Sequence, residues 1–142
     1  MQIIKKLLLI LIVCFNFSYA LVLDEKKEFY DLLPHSKIYI DYTNKLSIKD
    51  IQSKEFKKVD KKSIGFGYSP NFTVWVKFTL ENQTNKNIKR ILEYDNALST
   101  NISLYSPTNN YKEQKEGLAN ISKNRKTMNP IFMLKNKKEE KF

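Results

Sequence analysis

An all-β fold, an antiparallel sandwich or barrel, is predicted by three features of the sequence. From residue 37 onward, apolar residues alternate with polar ones at a period of two. The alternating segments recur at a spacing of about ten residues, as in sandwiches and barrels. Clusters of Asn, Gly, Pro and Ser separate them, which is the composition of tight connections between antiparallel strands.

The elements follow in order. Residues 24–33 (DEKKEFYDLL) are expected to make one or two helical turns, capped by Asp24 and stopped before Pro34. In KIYIDYT (37–43), Ile38, Ile40 and Tyr42 share one strand face, and Lys37, Tyr39 and Asp41 the other. The stretch LSIKDI (46–51) reads as a short helical turn with Ser47 as N-cap. The charged segment KEFKKVDKK then leads to GFGYSPN, where Gly65, Gly67 and Pro70 mark a turn cluster. The strongest strand is FTVWVKFTLE (72–81). Phe72, Val74, Val76, Phe78 and Leu80 line the face expected to be core; Thr73, Trp75, Lys77, Thr79 and Glu81 line the other. A polar turn, NQTNKN, precedes a strand at 88–95, and NISLYS (101–106) forms another with Ile102 and Leu104 inward. A looser segment at 111–116, a turn at Gly117 and a strand at 131–134 complete the set.

The N-terminus carries an export signal. Lys5 and Lys6 precede an apolar run from Leu7 to Phe17, and Ser18 and Ala20 supply the small residues that direct cleavage after Ala20. The run is roughly half the length of about 20 residues that a membrane-spanning helix requires. The single cysteine, Cys14, leaves with the peptide, so the mature chain has no thiol for catalysis, disulfides or zinc. About 120 residues remain, enough for one domain. Removing Lys5 and Lys6 lowers the formal charge from +10 to +8. That charge sits on scattered lysines with only two arginines, Arg90 and Arg125, a composition that argues against nucleic-acid recognition, which favours arginine forks. The basic surface leaves an acidic partner or anionic lipid open as a docking target.

Catalytic chemistry has little to stand on. His35 is the one histidine and lies in a presumed loop beside Pro34, so no Ser-His or metal constellation is visible. GFGYSPN lacks the preceding strand, third glycine and following helix of a dinucleotide loop, and no cofactor is expected. Trp75 is the most informative residue. Beside Lys77 on the strand face opposite Val74 and Val76, it either forms a small binding surface, with an aromatic plane and a cation, or closes the core under a loop. Tyr105, Asp95 and Arg125 are candidates to share that surface, with Tyr94 expected to be buried.

The turn GFGYS, then VWVKFTLEN, then ILEYDNALSTNISLYSP, a Gly turn and NRKTMNPIFML resemble the extracellular type 2 domain of bacterial seven-transmembrane receptors with diverse intracellular signalling modules. The resemblance covers about residues 37–134. It implies a periplasmic jelly-roll β-sandwich, like carbohydrate-binding modules and incomplete at its C-terminus. This would be the ligand-sensing, amino-terminal piece of a receptor whose membrane region and kinase or diguanylate cyclase output lie downstream. Lys77 stands where the family usually has Arg, and Leu118 follows Gly117 where an acid is common. The expected organisation is a signal peptide at 1–20, a lead-in at 21–36, the sensory domain at 37–135 and a charged tail at 136–142. The expected ligand is a small molecule, with carbohydrate as one candidate. Alternatives are a free-standing secreted carbohydrate-binding-type module and a basic interaction protein.

Overall fold

The computed structural model describes residues 20–136 apart from 60, 62, 68, 69 and 124. Residues 1–19 of the expected signal peptide (1–20) and 137–142 of the expected tail (136–142) therefore lie outside the described residues. Within them the chain is all-β and almost wholly antiparallel. Strand β1 (Leu21–Val22) is followed by β2 (Ser36–Asp41), helix α1 (Ile48–Ile51), β3 (Lys57–Lys58), β4 (Thr73–Phe78) and β5 (Leu80–Glu81). Then come β6 (Ile88–Glu93), β7 (Ile102–Leu104), β8 (Gln114–Glu116) and β9 (Ile131–Asn136). The strands pair as β3-β2-β4, β6-β9, β7-β8 and the short parallel pair β1-β5. No helix among the described residues is long and apolar enough to cross a membrane.

Local sequence accounts for most of these elements. Ser47 caps α1 through a reciprocal box in which its hydroxyl accepts from the Asp50 amide, while the Asp50 carboxylate accepts from the Ser47 amide at 2.9 Å. Asn82 is buried at the start of the β5–β6 turn. Its side-chain amide donates to the Lys86 carbonyl at 2.7 Å and its oxygen accepts from the amide and hydroxyl of Thr84. The polar turn expected at NQTNKN is thus closed from inside, with the buried amide satisfied by the loop it organises. Gly117 sits at φ 122°, where an added Cβ would lie 2.4 Å from the Thr100 carbonyl oxygen, so the turn there requires glycine on two counts.

One expectation about the N-terminal segment fails. The stretch 24–33 is not helical: Asp24 turns back on its own loop, accepting from the Lys26 amide at 2.9 Å, and a single 3-10 turn follows at Leu33–His35. The competing Asx turn satisfies Asp24 without a helix, and Phe29 is left 78% exposed. The lead-in instead supplies structure of another kind. Leu21 and Leu23 insert beside β5, with amides donating to the Thr79 and Glu81 carbonyls at 2.8 Å, and both side chains are buried.

The core forms at that point. Leu21, Leu23, Leu80, Ile88 and Leu134 make one buried cluster, with Tyr30, Leu32, Phe78, Leu92 and Leu104 packed around it. Only the Phe78–Leu80 end of the long strand reaches it. Farther along the face expected to be core, Val76 is 47% exposed and its neighbour across β2, Ile38, is half-buried. Tyr42, on the same face, is 73% exposed. The alternation located the face correctly, but the core covers one end of it. Tyr94, expected to be buried, is exposed as the chain leaves β6.

Candidate ligand-binding face

The other face of the β3-β2-β4 sheet is built by register. In β2 and β4, Lys37 pairs with Lys77 and Tyr39 with Trp75, while Lys37 also pairs with Lys58 of β3. Residues directly opposite across a ladder project to the same side. Lys58, Lys37 and Lys77 therefore form one row across three strands. Two residues along, the same register brings Phe56 beside Tyr39, with ring centroids 6.0 Å apart, and Trp75 completes a row of three aromatics. The Lys77 ammonium reaches over the Phe56 ring at 5.5 Å, a cation–π contact that ties the two rows.

A second sheet meets this face at Trp75. Its ring stacks on Tyr105, just after β7, at a centroid distance of 5.8 Å and an interplanar angle of 29°. Trp75 is half-buried, and its indole nitrogen is shielded from solvent without a hydrogen-bond partner among the described residues. Tyr105 is fixed in turn. Its hydroxyl donates to Glu113 at 2.8 Å, the Ser103 hydroxyl donates to the same oxygen at 2.7 Å, and Lys115 lies 3.3 Å from the other. Burial, and then the Glu113 carboxylate, raise the Tyr105 pKa above its ordinary value. The two hydroxyls, Ser103 first, hold the Glu113 carboxyl below its own. Both shifts favour an ionised Glu113 accepting from a protonated Tyr105.

Of the five residues singled out in the sequence, the structure brings three together. Trp75, Lys77 and Tyr105 belong to this face. Arg125 is engaged elsewhere, donating to the backbone carbonyls of Gly117, Thr127 and Met128 and so pinning the loop before β9. Asp95 accepts from the Asn129 side chain at 3.1 Å, beside Glu93, which accepts from it at 2.7 Å. These two residues hold the 125–130 loop against the end of β6. Sequence reasoning missed Tyr39, Phe56, Lys37, Lys58 and Glu113. Tyr39 was on the correct face; pairing β2 with β4 was the missing step. Phe56 and Lys58 alternate within KEFKKVDKK, a signal masked by the charges around them.

Among the described residues, no group of three His, Cys, Asp or Glu is placed to hold a metal ion. A cavity of about 130 Å³ opens on the opposite side of the β7-β8 hairpin, lined by Ser106, Asn109, Gln114 and Met133 among others.

A family model described as 7TMR-DISM extracellular 2 matches residues 33–142. The chain belongs to this family. The 7TMR-DISM extracellular 2 domain is an extracellular sensor domain of membrane receptors, not a catalytic one, which implies an extracellular or periplasmic location. No curated protein and no solved structure matches the chain. As a member of the 7TMR-DISM extracellular 2 family, it carries Trp75 within the motif VWVKFTLEN and pairs it with Tyr39 of β2.

Proposed function

We propose that this chain is the ligand-sensing domain of a membrane signal-transduction receptor with a kinase or diguanylate cyclase output. In this reading, the ligand is a small saccharide that lies along the Phe56-Tyr39-Trp75 row. The observation that carries the reading is this row on a family-assigned sensor domain. Aromatic planes at successive strand positions offer flat apolar contact to the C–H faces of a sugar ring, and polar groups at the rim orient it. Tyr105, held by Glu113, supports the Trp75 ring and shares the rim. Signalling requires the ligand to bind two states of the receptor unequally. Residues that join two sheets, as Trp75 and Tyr105 do, are suited to sense a change in their relative position.

Export follows from the signal peptide, cleaved after Ala20. Leu21, the first residue expected of the mature chain, lies in β1, where its amide nitrogen donates to the Thr79 carbonyl at 2.8 Å. Mass spectrometry of the exported protein should find Leu21 as the first residue; a retained N-terminus would overturn the cleavage.

Trp75 is the only tryptophan, so its fluorescence reports on the face directly. Titration of the full chain with cellotriose and maltotriose is expected to shift Trp75 emission saturably. Tyr39→Ala should abolish the response while the domain remains folded, because Tyr39 is half-buried and outside the core cluster. Equal responses in wild type and Tyr39→Ala would remove the aromatic row from the reading.

A further inference from the structure

The lysine row says something about the ligand that the aromatic row does not. Lys58, Lys37 and Lys77 occupy one row on three adjacent strands, so three cationic side chains project from one side of the sheet. The register alone sets the three stems side by side, whatever else each ammonium touches. Strands lie about 4.8 Å apart and rise about 3.3 Å per residue, so the row spans roughly 10 Å and lies some 7 Å from the parallel aromatic row. A four-carbon lysine stem covers that separation. The rows are therefore close enough for one ligand to use both, its rings on the aromatics and its anionic substituents on the ammonium groups.

We infer that the ligand is an acidic saccharide, one whose sugar rings carry carboxylate, sulfate or phosphate groups. This rests on the aromatic face being the binding face. Lysine suits such a ligand, since a mobile point charge can follow substituents on successive rings where a rigid guanidinium fork would demand one geometry. An anionic membrane surface shares the charge but not the shape. Tyr39, Phe56 and Trp75 are all half-buried, so they offer a shallow platform to a ring and do not protrude into a bilayer. The well-exposed Tyr42 and Val76 are on the opposite side of the sheet.

The test compares trigalacturonate with its fully methyl-esterified form, which keeps the rings and removes the charge. Binding to the full chain is followed by calorimetry and Trp75 emission. At about 0.1 M salt the acid is expected to bind about tenfold more tightly, and the two should converge at about 1 M, where the screening length falls to about 3 Å. The double variant Lys58→Gln/Lys77→Gln should stay folded and bind both forms as wild type binds the ester. Equal affinity for acid and ester at both salt concentrations would overturn the acidic-ligand inference and leave the aromatic reading standing. No binding of either form would overturn the acidic-saccharide inference, while a surviving response to cellotriose or maltotriose would keep the aromatic reading. Lysine-dependent capture by phosphatidylglycerol vesicles, without trigalacturonate binding, would replace the inference with membrane docking.

Discussion

The β6-β9 and β2-β4 ladders are each six residue pairs long, yet they use their faces in different ways. In β6-β9 the division is sharp. Ile88, Phe132 and Leu134 are buried against the core, while Ile91 and Met133, directly paired, are 59% and 51% exposed on the outside. In β2-β4 neither face is fully buried over its length. Val76 is exposed on one side, and the Tyr39-Trp75 pair is half-buried on the other. The β6-β9 pair is scaffold, held by burial of one side. The β2-β4 pair gives up part of that burial to keep an aromatic and cationic surface open, and depends on its connections for stability.

The largest effect should come from the scaffold. Leu134→Ala removes a side chain that is 5% exposed and central to the core cluster. Such changes cost about 2–5 kcal/mol through lost transfer free energy and the cavity left behind. Met133→Ala, one residue away on the outer face, should cost less than about 1 kcal/mol, as exposed sites do. Denaturant midpoints measure both. If the two variants are equally destabilised, the scaffold's one-sided burial is wrong.

Trp75→Ala should give an intermediate result and so sharpen the contrast. A fully buried Trp→Ala costs about 3–5 kcal/mol, and half-burial suggests about 2 kcal/mol here. Val76→Ala, the next residue on the opposite face, should cost about 1 kcal/mol or less. The Trp75 variant is expected to remain folded and to lose saccharide binding, because Tyr105 loses the ring it stacks on. Calorimetry against cellotriose and a melting curve together decide it. An unfolded Trp75→Ala protein would make Trp75 a core residue.

These contrasts also mark what the sequence could reveal. The alternation in FTVWVKFTLE was sufficient to locate β4 and to place Trp75 and Lys77 together, because side-chain direction in a strand depends only on parity. Parity does not say which stretch of a face meets the core. That depends on β1, whose two residues pair with β5 and are too few to show a period. The lysine and aromatic rows were illegible for a related reason. A row across strands depends on register, and register here is fixed by long-range pairing of β2 with both β3 and β4. Arg125 and Asp95 were candidates to share the Trp75 surface, and the structure places both at the 125–130 loop. Their partners are loop carbonyls and Asn129, which local sequence does not disclose.

The smallest effect concerns how the β2-β4 sheet is held where burial is lacking. At the end of β2, Asp41 is buried and accepts from the Thr43 hydroxyl at 2.6 Å and from the amides of Thr43 and Leu46 at 2.9 and 3.0 Å. The Thr43 hydroxyl in particular holds its carboxyl below the ordinary aspartate value. A depressed folded pKa means that the contribution is fully present above the unfolded value of about 3.9 and is lost as pH falls through the folded one. Acid should therefore loosen the turn joining β2 to α1, while the β6-β9 ladder, whose one carboxylate, Glu93, is exposed at its end, holds longer. Hydrogen exchange between pH 5 and about pH 3 is the measurement. Protection of the Thr43 and Leu46 amides should fall more than that of the β9 amides, and Asp41→Asn should remove most of the difference by being loosened already at pH 5. Equal loss in both sheets would mean that acid unfolds the domain as one unit and that the two ladders are not separately held.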